Sequence, residues 1–169
     1  MITNDRIHEL LLTTIKTAEQ ALNQNNYPIG SLITDTNGKI LASDMNQLTT
    51  QDDITAHAEI LCIRKLGNKI IKDKSGGCYL FSSLEPCFGC SFFIARTNIE
   101  KIYSALKDPH KGGISDLKQQ DQFSKFFNKL DIINNQFEDI KNKSQELMRR
   151  YFLKIGRPDT AEYYGHQKK

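Results

Sequence analysis

The sequence predicts an α/β fold, one sheet with helices on both faces. Three observations carry this: an opening stretch with helical apolar spacing, two strand-like runs hinged on Asn37-Gly38, and a later alternation of strand-like and helix-like segments. Ile7, Leu10, Leu11, Thr14, Ile15, Ala18, Ala21 and Leu22 form one stripe, so a core-facing helix is expected over residues 4–25. IGSLITD and KILASDM then read as antiparallel strands, because Asn-Gly accepts the positive backbone angles of a tight turn. AHAEILCIRKLG is helical by spacing and ends at Gly67 as a C-cap. CYLFSSL is apolar and aromatic enough for a buried strand, stopped by Glu85-Pro86. CSFFIAR follows as a helix, with Phe92 and Phe93 expected in the core, and IEKIYSAL as a strand. A loop around Pro109, Gly112 and Gly113 with a short helix leads to the strand LDIIN. FEDIKNKSQELMRRYFLKI closes the fold, offering Phe137, Ile140, Leu147, Tyr151 and Ile155 for burial. A single domain is expected over residues 1–156, followed by a detachable polar tail, 157–169.

With 169 residues the chain can bury one core. Its 38% apolar and 25% charged content excludes a disordered chain, a collagen-like fibre and a coiled-coil rod. No apolar run approaches the ~18 residues of a spanning helix, and MITNDRIHELL lacks the pattern of a secretory signal. No membrane association and a cytoplasmic location are therefore expected. The net charge of +3 is uneven: residues 141–169 hold eight Lys and Arg against three acidic residues. Such a segment suits either phosphate contact or an ordinary solvated helix face. Four cysteines, at 62, 78, 87 and 90, are too few and too irregular for a disulfide framework, which leaves thiol or metal chemistry.

That chemistry gathers in two short motifs. His57-Ala58-Glu59 opens one expected helix and Pro86-Cys87-Phe88-Gly89-Cys90 another. One imidazole and two thiolates suit tetrahedral zinc, and three protein ligands leave a fourth position for water. Cys87 and Cys90, three apart at a helix start, point to one side, where free backbone N–H groups favour thiolates. Glu59, two residues past His57, aims differently and fits a carboxylate that moves protons beside the metal. The alternative is a closed structural zinc site completed by Cys62 or Cys78. Those two cysteines read better as small core residues, Cys62 more than a turn into its helix and Cys78 at the start of a buried strand.

The pairing of H-x-E with P-C-x-x-C resembles the zinc-dependent nucleobase deaminases of the cytidine deaminase superfamily. YPIGSLI, Asn46, TAHAEI, LEPCFGC, IEKIYSAL with Asp108 behind it, and RRYF extend the resemblance over most of the chain. It implies a three-layer α-β-α fold with a five-stranded mixed sheet, and one Zn2+ per chain on His57, Cys87 and Cys90. It further implies Glu59 as proton shuttle, Asn46 as a base contact, and a homodimer. Ala58 and Pro86, beside the ligands, are expected to face substrate, the backbone N–H groups of Ala58 and Cys87 steadying developing negative charge. Asp108, His110 and Asp116 are further candidates in the polar loop.

Two branches compete for the substrate. PIG, LEPC, the basic closing helix and the length look like bacterial tRNA adenosine deaminases. The run from Asn46 to Glu59, and Asp116 near the position of an acidic residue that assists amine departure, look like guanine deaminases. Ile54 stands where both branches usually have proline. DPHKGGISD departs from the loop of the tRNA enzymes beyond Asp108. The sequence reading therefore favours a small purine, guanine or guanosine, with tRNA wobble adenosine as the alternative. A non-catalytic zinc-binding module that contacts RNA ranks below both.

Overall fold

The apolar stripe at the start of the chain forms α1 (Asn4–Asn23), with all eight of its residues buried and Thr3 capping it by accepting from the Arg6 N–H. The computed structural model describes residues 2–72, 77–109 and 112–165. β1 (Gly30–Asp35) and β2 (Ile40–Met45) pair antiparallel as expected. Their turn is wider than a two-residue hairpin: only Gly38 takes a positive φ, +82°. The Asp35 carboxylate accepts from the N–H groups of Asn37 and Lys39, both at 2.9 Å, and so satisfies the loop's donors locally.

The chain continues through α2 (Ala58–Leu66), α3 (Lys69–Lys72), β3 (Cys78–Ser82), α4 (Phe88–Ile94) and β4 (Ile99–Ser104). It then passes through α5 (Gly113–Leu117), α6 (Asp121–Phe127), β5 (Asp131–Asn134), α7 (Glu138–Lys154) and α8 (Pro158–Gly165). The sheet order is β2-β1-β3-β4-β5, with β1 antiparallel to β3 and the last three strands parallel. This is the expected five-stranded mixed sheet. Alternation along the strands supplies two cores. Leu32, Phe81 and Tyr103 face α1 and α7, whereas Ile33, Leu80 and Ile102 face the other way, toward Cys62, Ile94, Ile114 and Phe127. Gly30 lets α1 lie against β1, since a Cβ there would stand 2.3 Å from the Thr14 carbonyl oxygen.

Three expectations change. Residues 157–165 are not a loose tail: α8 packs on α7, burying Ala161 and Tyr164 with Met148, Phe152, Leu84 and Leu106. The apolar side chains of this cluster are spread over distant segments, so no single stretch announced it. Ile155, placed in the core by its spacing, is exposed at the end of α7. Phe92 and Phe93 are also exposed, because α4 is short and turns only Cys90, Ser91 and Ile94 inward. Among the described residues no helix is long and apolar enough to cross a membrane.

Candidate active site

The site lies beyond the carboxyl ends of the parallel strands, where open α/β sheets bind ligands. Glu85, Pro86 and Cys87 come just after β3, Asp108 after β4 and Asn46 after β2. His57 is the N-cap of α2 and Cys87 the N-cap of α4, and both have extended backbone. Neither side chain caps its own helix. Both turn instead to one point, where His57 Nδ1 lies 3.7 Å from Cys87 Sγ and 3.4 Å from Cys90 Sγ. Tetrahedral zinc with ordinary Zn–N and Zn–S bonds places such atoms about 3.6 Å apart, so this donor set fits the ion. Among the described residues His57, Cys87 and Cys90 form the one group of three side chains that could hold a metal. Cys62 instead donates to the Ser31 carbonyl at 3.4 Å, and Cys78 packs against the core, so neither completes a closed site.

Electrostatics separate the three ligands. The hydrogen bond from the Cys90 thiol, helped by His57, holds the Cys87 thiol down to about 4, well below the ordinary cysteine range. Its hydrogen bond to His57 raises the imidazole in turn. Cys90 is pushed up by the reciprocal bond to Cys87 and by burial. Glu59 is buried in the first turn of α2, and that burial raises its carboxyl above the ordinary glutamate range. Ser82, the last residue of β3, donates to Glu59 Oε1 at 3.0 Å, and Cys90 Sγ lies 3.5 Å from Oε2.

A cavity of about 230 Å³ opens beside these groups. Asn46, His57, Glu59, Cys87 and Asp108 line it, so five of the nominated residues share one space. Asn46 is buried, and its Oδ1 accepts from the Leu48 N–H at 3.1 Å, which leaves the amide nitrogen as its donor group. Ala58 is buried at the first turn of α2. Pro86 serves the scaffold: its carbonyl accepts from the Gly113 N–H at 3.0 Å and from Ser91 Oγ at 3.2 Å. Asp116 does not join the site; it is exposed on α5 and absent from the cavity wall. His110 lies outside the described residues.

Several wall residues were not nominated from the sequence: Tyr27, Glu85 and Tyr164 line the cavity, and Ser82 holds Glu59. Glu85 stood within the LEPC motif but read only as a strand stop. Ser82 was legible in principle, as a small polar residue at the end of an apolar strand. Tyr164 gave no local signal, since it reaches the cavity only because α8 folds back.

Residues 4–106 match the family described as the cytidine and deoxycytidylate deaminase zinc-binding region. A tRNA-specific adenosine deaminase of Aquifex aeolicus (strain VF5) is 34% identical over 106 residues, which are 62% of this chain and 70% of that one. A solved tRNA:A34 deaminase, described as performing A-to-I editing at the wobble position, superposes with a TM-score of 0.71 at 24% identity over 83% of this chain and 99% of that one. The guanine deaminase of Nitrosomonas europaea superposes with a TM-score of 0.65 at 16% identity, over 89% of this chain and 85% of that one. The last two likenesses show the shared fold. With a zinc-compatible donor set at two helix starts, a buried carboxylate beside it and a family match over most of the chain, this protein belongs to the cytidine and deoxycytidylate deaminase family and is a zinc-dependent hydrolytic deaminase.

Proposed function

We propose that the substrate is an adenosine of tRNA, deaminated to inosine at the wobble position. The observation that carries this is the sequence likeness to the Aquifex aeolicus tRNA-specific adenosine deaminase, which is stronger than any structural likeness to guanine deaminases reported above. It reverses the preference for a free purine drawn from the run Asn46 to Glu59, and the exposed place of Asp116 removes one support for that preference.

When bound by His57, Cys87 and Cys90, zinc supplies a Lewis acid that lowers the pKa of a water to about 7. In the proposed reaction Glu59 takes one proton from the attacking water and gives it to the ring nitrogen, then takes the second proton from the newly formed hydroxyl and gives it to the departing amine. A C–O bond forms at the amino-bearing carbon, the C–N bond breaks and ammonia leaves. Burial favours this role, because it raises the Glu59 carboxyl above the ordinary glutamate range and so strengthens it as a base. Ser82 fixes one of its oxygens. The Asn46 amide hydrogen-bonds the ring, Asp108 receives the polar edge of the nucleotide, and the Ala58 N–H at the start of α2 steadies negative charge.

Arg149 and Arg150 are exposed on α7 and form loose pairs with Glu146 at 3.5 Å and Glu19 at 3.7 Å. Exposed pairs of this kind are weak and yield readily to phosphate. Inosine formation in an anticodon stem-loop bearing adenosine at the wobble position, measured beside guanine, guanosine and free adenosine, tests the proposal. Turnover of the stem-loop that weakens with salt is expected. Turnover of guanine or guanosine with none of the stem-loop would return the function to the free purine.

A further inference from the structure

Asn46 and Leu48, two residues of the cavity wall, sit on the segment that joins β2 to α2 and crosses the surface, with residues 49–52 exposed. Such a segment gains little from core packing, so hydrogen bonds must set its course. Asn26 supplies them from beneath. It follows the end of α1, where Asn25 takes a positive φ of 61° and the Asn26 N–H returns to the Ala21 carbonyl at 2.9 Å. The Asn26 side chain is fully buried, a place where an amide without partners would be costly. Its Oδ1 accepts from the N–H groups of Thr49 at 2.9 Å and Thr50 at 3.1 Å. Its Nδ2 donates to Thr50 Oγ1 at 3.2 Å and to the Gln24 carbonyl at 3.5 Å. Two N–H donors at the oxygen fix which way the amide points. The same turn reaches Asn46, whose Oδ1 accepts from the Leu48 N–H at 3.1 Å, one peptide before the Thr49 N–H that Asn26 holds.

We propose that Asn26 is a positioning residue for the deamination, anchoring the turn 46–50 to the end of α1 and so holding the Asn46 amide and the Leu48 side chain in the pocket wall. Asn26 does not itself line the cavity, so it acts through these two residues. Thr49 and Thr50 are exposed, and without the Asn26 oxygen their N–H groups would turn to water and release the turn. Holding the turn in advance means that its ordering is met in folding and not at binding, which strengthens binding. Glu59 stands on α2 and is held separately by Ser82, so the loss of Asn26 should act on KM more than on kcat. The inference rests on the reading of this cavity as the base pocket and of Asn46 as a base contact, and it holds whichever purine fills it.

Hydrogen exchange and kinetics on the zinc-loaded full chain separate this role from a structural one. In Asn26→Ala the amides of Thr49 and Thr50 should exchange about tenfold faster while those of β1 keep their wild-type rates. Zinc should be retained, and KM should rise about tenfold with kcat within about twofold of wild type. Asn26→Ser, too short to reach both N–H groups, gives the same reading if Asn26→Ala does not fold. Asn26→Asp keeps an acceptor for both N–H groups and should restore slow exchange and a KM within about threefold of wild type. Asn46→Ala should also raise KM about tenfold, and combining it with Asn26→Ala should add nothing further, because both act through one contact. Kinetics are read as ammonia release from the stem-loop, adenosine, guanosine and guanine. Turnover of a free purine without the stem-loop would overturn the tRNA proposal, and KM is then read on that purine. Turnover of none of the four would overturn the proposed function and leave the exchange rates to decide the place of Asn26. Wild-type exchange at Thr49 and Thr50 in folded Asn26→Ala, a KM unchanged within about twofold, or additive effects in the double variant would overturn the positioning role.

Discussion

At the scale of single residues the site divides labour by where each side chain leaves the backbone. His57 and Cys87 leave from helix N-caps, Cys90 from the first turn of α4, and Glu59 from the first turn of α2, turned inward to Ser82. Glu59→Gln should therefore keep zinc and fold while turnover falls by about 10²–10⁴-fold, the usual contribution of a general acid-base group. Metal analysis alongside ammonia release checks it, and loss of zinc in that variant would assign Glu59 to the ligand set instead. Ser82→Ala removes the 3.0 Å bond that orients Oε1 and should lower kcat about tenfold with zinc retained. Cys87→Ala and Cys90→Ala should each lose the metal, because two remaining ligands cannot hold it tetrahedrally.

At the scale of elements, the site depends on how closely neighbouring segments approach. α1 reaches β1 only because Gly30 carries no side chain. Gly30→Ala should cost about 1–3 kcal/mol in urea unfolding, since the Thr14 carbonyl it would strike is backbone and cannot swing away. α2 and α4 meet through their N-termini at the three ligands, so zinc ties two helices as well as serving the reaction. Chelation should lower the melting temperature in proportion to the metal removed, and calorimetry with and without a strong chelator reads this directly.

At the scale of the whole molecule, the outer side of the ligand cluster remains apolar. Ile54 is 81% exposed, Phe92 44% and Phe93 54%, and Ile54 and Phe93 border a groove of about 430 Å³ shared with His57, Cys87 and Cys90. Exposed apolar side chains bordering a groove beside an active site suit an association surface. We propose that a second copy of the chain covers it, as a homodimer. Light scattering at micromolar concentration should give twice the chain mass, and Phe93→Asp should shift it to the monomer. A monomeric wild type would remove the dimer from the proposal.

The chemistry and most of the scaffold are legible in short stretches of the chain. H-x-E and P-C-x-x-C are local motifs whose spacing sets the ligand atoms at helix starts, and the α1 stripe, the strands and Gly67 are likewise written within a few consecutive residues. Which distant residues complete the pocket is set by packing alone. Tyr164 becomes a wall because α8 folds onto Met148 and Phe152, Asp116 stays outside because α5 exposes it, and Phe92 and Phe93 face outward because α4 is too short to bury them. The reason is physical: periodicity reports which face of an element is apolar, whereas the choice of what covers that face is made by packing between segments far apart in the chain.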